Sequence, residues 1–186
     1  DGAELQYIVD NHALSTHLQI VKRDAQTGSP VPLAGFTFQL LDSNREPISQ
    51  TCWHPTHQIM NTFTTDETGA VTLPESLNPG TYYVREVSSK KPYLVGEDLA
   101  ITLPADRYLT PVAIASYFDD AATGSIEIVK SDATDGHNLM GAVFDIRAAG
   151  DIVRPDGSIV ALAGETVATV TTDEQGSARA SHLSLG

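Results

Sequence analysis

The sequence predicts an all-β protein built of tandem β-sandwich modules. Apolar residues alternate with a period of two over short runs, as they do in strands with one face buried. Turn-forming dipeptides and tetrapeptides separate these runs. A set of spaced motifs then recurs in the same order further along the chain. Helical spacing is almost never kept for three turns.

Taken in order, Leu18, Ile20 and Lys22 share one parity and end at the turn Thr27-Gly28. Phe36, Phe38 and Leu40 form the next inward set. A polar stretch over 45–63 reads as a long hairpin loop, and Asp66-Glu67-Thr68-Gly69 as a tight turn. Asn78-Pro79-Gly80 opens a strand whose inward residues are Tyr82, Val84 and Glu86. A last strand ends near Asp119. Turns at Asp156-Gly157 and Asp173-Glu174-Gln175-Gly176 continue the pattern. Frequent short strands of this kind suit a sandwich or an open barrel.

The repeat sets the domain expectation. LQIVKRD at 18–24 answers IEIVKSD at 126–132, and LAGFTFQL at 33–40 answers LMGAVFDI at 139–146. TTDETG at 64–69 answers TTDEQG at 171–176, and SLNPG at 76–80 answers HLSLG at 182–186. Asn11 precedes Lys22 by the same interval as Asp119 precedes Lys130. Residues 1–16 are therefore expected to be the last strand of a preceding module or a linker. Residues 17–121 are expected to form one complete module, and 122–186 an incomplete second one. A fragment lacking core strands has little stability of its own.

Composition narrows the function. The 186 residues carry 11 Lys plus Arg against 24 Asp plus Glu, a net charge of −13. That balance opposes binding to nucleic acid or to an anionic membrane surface. No apolar run approaches the ~18 residues of a membrane span, so no membrane insertion is expected. The single cysteine, Cys52, excludes an intramolecular disulfide. Starting at Asp1 without a signal peptide and ending at Gly186 without an anchor, the chain reads as a mature protein or an excised piece of one.

Three polar residues fall on or near inward faces: Lys22, Glu86 and Asp119. Any one of them alone reads as a strand-end group tipping into water. Together they read as a partnered buried cluster, because an unpartnered charge in a dry interior is costly. The parity of the last strand leaves its acid open. The repeat spacing favours Asp119, whereas the bulk of Val112, Ile114 and Phe118 would put that face inside and turn Asp120 inward.

These motifs resemble the Cna B-type (collagen-adhesin B-type) modules of Gram-positive surface proteins and pilins. The resemblance rests on IVKRD with Lys22, LAGFTFQL, TTDETG, the box Gly80-Thr81-Tyr82-Tyr83-Val84-Arg85-Glu86 and the segment Lys91-Pro92-Tyr93. It implies a prealbumin-like (Ig-like) β-sandwich. It also implies an isopeptide bond between Lys22 as nucleophile and Asp119 as acceptor, with Asp120 as the alternative acceptor and Glu86 promoting the reaction. Burial disfavours the charged forms of an amine and a carboxyl, and a neutral amine can attack. Lys130 and Asn11 match a nucleophile and an acceptor whose partners are not in the chain.

Other signals carry less. Cys52, His54 and His57 form C-x-H-x-x-H, but no fourth zinc ligand is evident, and no metal or other cofactor is expected. Trp53 beside them is the residue expected to touch a ligand if one binds. Asp132–Gly136 lacks the ligand alternation of a calcium loop, and no nucleophile elbow supports a hydrolase. The expectation is a non-enzymatic stalk or spacer of a cell-surface adhesin or pilin, extracellular and anchored to the cell wall. Its partners would be neighbouring modules of the same polypeptide. The alternatives are an adhesin domain contacting host extracellular protein or glycan, and an accessory β-sandwich of a secreted enzyme.

Overall fold

Alternation along 18–24 becomes a strand because one face can be buried: Leu18, Ile20, Lys22 and Asp24 all point inward, and their neighbours do not. In the computed structural model, residues 15–105 and 112–185 are described. The strands are β1 (His17–Asp24), β2 (Thr37–Leu41), β3 (Gln50–Cys52), β4 (Gln58–Met60), β5 (Phe63–Thr64), β6 (Ala70–Thr72), β7 (Gly80–Ser88), β8 (Leu99–Leu103) and β9 (Val112–Asp119). They continue as β10 (Thr123–Val129), β11 (Val143–Arg147), β12 (Ile152–Val153), β13 (Ile159–Ala161), β14 (Thr166–Thr171) and β15 (Ser177–Ser184). Among the described residues there is no helix.

Strands β1 to β9 make two sheets, ordered β6-β1-β9 and β5-β2-β7-β8, with β3 and β4 as a separate hairpin. Between the sheets lies a core that includes Leu18, Ile20, Phe36, Phe38, Leu40 and Val84. β1 and β9 run parallel, with Lys22 opposite Tyr117 and Asp24 opposite Asp119. A parallel pair needs a long crossover, and here everything from β2 to β8 supplies it. The first and last strands of the module are thus hydrogen-bonded neighbours.

From β10 onward the chain repeats this plan. β10 pairs with β15 as β1 pairs with β6, and β11 pairs with β14 as β2 pairs with β5. Lys22 N–H donates to Gly69 O and Val31 N–H to Lys22 O; Lys130 N–H donates to Gly176 O and Leu139 N–H to Lys130 O. Thr65 Oγ1 accepts from Phe36 N–H at 3.1 Å and donates to Leu33 O at 3.2 Å. Thr172 Oγ1 does the same with Ala142 N–H at 2.9 Å and Leu139 O at 2.7 Å. Counterparts of β7, β8 and β9 are not found within 123–185, and Val129, Val143 and Ile159 are exposed there.

The two parts meet at a polar junction. Thr27 Oγ1 donates to Asp156 Oδ2 at 2.6 Å, and Arg154 Nη2 donates to Gln26 Oε1 at 2.7 Å. Ala122 N–H donates to Pro92 O, which ties the connecting segment back to the first module.

The bulk-based reading of the last strand is corrected by β9. Ala113, Ala115, Tyr117 and Asp119 face inward, while Ile114 and Phe118 are 62% and 53% exposed. The space against β9 is already taken by Phe38, whose ring packs edge-on against Tyr117 at 5.1 Å between centroids. Small alanines fit beside such large partners, so volume complementarity rather than residue size fixes the facing. Asp120 lies in solvent.

Candidate functional site

Three strands position the cluster. Lys22 stands on β1, Asp119 two positions along the neighbouring β9, and Glu86 on β7 in the opposite sheet. Glu86 sits beside a bulge: Thr37 pairs with Ser88 but Phe38 pairs with Glu86, so Val87 is the extra residue. Such bulges re-aim a side chain, and this one leaves Val87 exposed while Glu86 points into the core.

Lys22, Glu86 and Asp119 are 0%, 3% and 5% exposed. Lys22 Nζ donates to Glu86 Oε1 at 2.8 Å and to Asp119 Oδ2. Aromatic rings enclose the amine, with Phe36 and Tyr117 centroids at 4.9 and 4.8 Å and those of Phe38 and Tyr93 at 5.9 Å. The second oxygen of Glu86 accepts from Gly96 N–H at 3.2 Å. Burial first, and then the hydrogen bond with Asp119, raise the Glu86 carboxyl from 4.5 to about 7, against the opposing pull of Lys22. An amine, a carboxyl acceptor and an acid that titrates near neutrality are therefore in mutual contact and shielded from water. That arrangement can perform acyl transfer to nitrogen.

Asp24 was not singled out from the sequence, although its parity with Lys22 was visible. It is fully buried. Its Oδ1 accepts from Gln26 and Thr27 N–H at 2.8 and 2.9 Å, and its Oδ2 accepts from Tyr93 Oη at 2.8 Å. Burial, then Asp24, push the Tyr93 hydroxyl well above its ordinary range. The Tyr117 hydroxyl is pushed up as well, first by burial, and donates to Glu97 O at 2.6 Å. Gly96 carried no sequence signal, because loop residues have no period to read.

The remaining candidates lie apart from this cluster. Lys130 is exposed, and its Nζ donates to Ser131 O at 3.3 Å. Asn11 and the strand expected over 1–16 fall, apart from residues 15 and 16, outside the described residues. Trp53 is 68% exposed and its ring lies 4.6 Å from that of His57, tilted at 52°, while Cys52 Sγ donates to His54 O. Among the described residues, no group of three or more His, Cys, Asp or Glu side chains is arranged to hold a metal ion. No helix among them is long and apolar enough to cross a membrane.

Two sheets closed by a parallel first-and-last strand pair, with the opening strands of the same plan repeated further along the chain, define a tandem prealbumin-like β-sandwich protein. The chain belongs to the SpaA prealbumin-like fold domain family, which matches residues 16–115 and 124–186. No curated protein sequence matches it. Among solved structures, the Bacillus anthracis TIE protein is similar at 22% identity with a TM-score of 0.55, over 90% of this chain and 26% of that one. The minor pilin GBS52 of Streptococcus agalactiae aligns at 22% identity and a TM-score of 0.46, over 58% of this chain and 45% of that one. A streptococcal ancillary pilin aligns at 21% identity and a TM-score of 0.45, over 92% and 51%. The chain thus spans between a quarter and about half the length of these proteins.

Proposed function

We propose that this chain is a load-bearing spacer of a Gram-positive surface fibre or pilus, and that its first module is locked by a self-formed isopeptide bond between Lys22 and Asp119. The observation that carries this reading is the contact of a fully buried lysine with two buried acids, one of them on the strand that ends the module. In the reaction, Lys22 Nζ attacks Cγ of Asp119. A C–N bond forms, and one carboxyl oxygen leaves as water. Glu86 starts as the acid, gives its proton to the leaving oxygen and recovers one from the amine through Oε1, which already accepts from Nζ. The step occurs once per molecule, so nothing is turned over.

Closing the bond encloses a loop of 97 residues, worth on the order of 4–5 kcal/mol by the chain-entropy treatment of crosslinks. A chain with one cysteine gains a staple that no reductant opens. Location on a wall-anchored fibre, with neighbouring modules as partners, follows from this reading together with the family. The test is the intact mass: one water below the sequence mass for the wild type, and the full mass for Lys22→Ala. A full mass in the wild type ends the proposal. A tryptic branched peptide joining Lys22 to Asp119, and not to Asp120, would locate the bond.

A second reading is favoured by Trp53, whose ring is exposed on the segment between β3 and β4. An exposed aromatic residue of this kind suits contact with host protein or glycan. Arrays of both ligand types, probed with wild type and Trp53→Ala, decide it: a signal lost in the variant supports adhesion, and no signal in either leaves a spacer alone.

A further inference from the structure

We infer that Gly96 is a positioning residue of the crosslinking centre: its bare Cα makes the room in which Asp119 Oδ1 stands, and its N–H holds Glu86 Oε2. The inference rests on the isopeptide reading above.

Gly96 lies in the loop between β7 and β8, outside the aromatic cage yet against both acids. A Cβ built there would collide with Asp119 Oδ1 and stand 3.0 Å from Tyr117 Oη and 3.2 Å from Tyr117 Cε1. Its φ lies outside the left-handed region, so the backbone conformation itself does not call for glycine. The reason for glycine here is space, and the atom that uses the space is an oxygen of the acceptor carboxyl. A depression of about 280 Å³ that opens to solvent is lined by Gly96 and Asp119 together with Leu94, Val95, Glu97, Phe118 and Asp120.

The two contacts act on different atoms of one reaction. With Oε2 fixed by Gly96 N–H at 3.2 Å, Oε1 is held toward the Lys22 amine. With Oδ1 seated against the bare Cα, Oδ2 and Cγ face Nζ. A methyl group at position 96 swings the carboxyl out of line. A carboxyl is the free end of a short side chain, so it yields at little cost to folding. Attack geometry is less forgiving, and a displacement of about 1 Å costs roughly a hundredfold in rate.

The experiment follows the intact mass of the full chain during cell-free synthesis, comparing wild type with Gly96→Ala. A companion pair compares the thermal melts of Lys22→Ala/Asp119→Ala with and without Gly96→Ala, where the crowded carboxyl is gone. The expected result is loss of water by the wild type, loss slowed on the order of a hundredfold in Gly96→Ala, and closely similar melts in the companion pair. A Gly96→Ala chain that loses water at the wild-type rate overturns the positioning role and leaves the crosslink standing. A companion chain that fails to fold with Ala at 96 also overturns it, since the glycine is then structural. A wild type that never loses water removes the reaction and this role together.

Discussion

A lysine that reaches no water must find its partners in the protein, and Lys22 finds two acids and four rings. Burial acts strongly on Glu86. Because its carboxyl is raised from 4.5 to about 7 in the folded chain, it keeps a proton that the unfolded chain has given up. Its contribution to the stability of the uncrosslinked module is therefore complete below about pH 4.5 and is lost as pH rises through about 7. Crosslinking should slow over the same rise, as the proton needed by the leaving oxygen disappears; time-resolved intact mass on either side of neutrality measures this. Glu86→Gln keeps the shape and removes the titrating proton, so that variant should retain the full sequence mass at every pH. Lys22→Ala should lose at least the ~4–5 kcal/mol of the closed loop, read by denaturant unfolding. Inward parity made Lys22 and Glu86 legible in the sequence. It left the last strand open between Asp119, which the repeat spacing favoured, and Asp120, because parity shows only which residues share a face, and the neighbouring volume decides which face turns in.

Strands and turns repeat more faithfully than surfaces do. Gly69 and Gly176 both adopt positive φ, and a Cβ at either would strike a backbone carbonyl, that of Val31 or of Lys130. Gly28 also has positive φ, but nothing lies within 4 Å of its missing Cβ. Gly28→Ala should then cost only the left-handed penalty of about 1–2 kcal/mol, and Gly69→Ala distinctly more; paired thermal melts compare them. Thr65→Ala leaves Phe36 N–H and Leu33 O without their partner, at about 1–3 kcal/mol by the same measurement. TTDETG and TTDEQG were readable as turns because a tight turn needs its glycine and its acid at fixed offsets. The hydroxyl bridge of the threonine before the Asp was not readable, since it spans more than thirty residues to Leu33 and Leu139.

Tension along the chain enters the first module at the start of β1 and leaves at the end of β9. These strands run parallel, so the pull shears them past each other rather than peeling them apart. A bond from Lys22 to Asp119 would carry that load directly and leave the residues between unstretched. Force spectroscopy on Lys22→Ala should show a new unfolding step releasing roughly 320–350 Å of chain, the extended length of 97 residues, absent from the wild type. At the junction, Asp24 orders the turn that meets Asp156 and Arg154, which couples the end of β1 to the second module. Arg154→Ala removes an exposed contact, so the melt should move within about 0.5 kcal/mol. The spread of inter-module angles should widen, as read by small-angle scattering.

The sequence alone determined the all-β class, the repeat and the inward lysine and glutamate, because periodicity and turn chemistry are local and survive in one dimension. Tertiary structure decided which acid of the Asp119-Asp120 pair is buried, why Glu86 needs a bulge beside it, and why a loop glycine stands against the acceptor. Those depend on which atoms from distant segments share one small volume, and no local pattern records that.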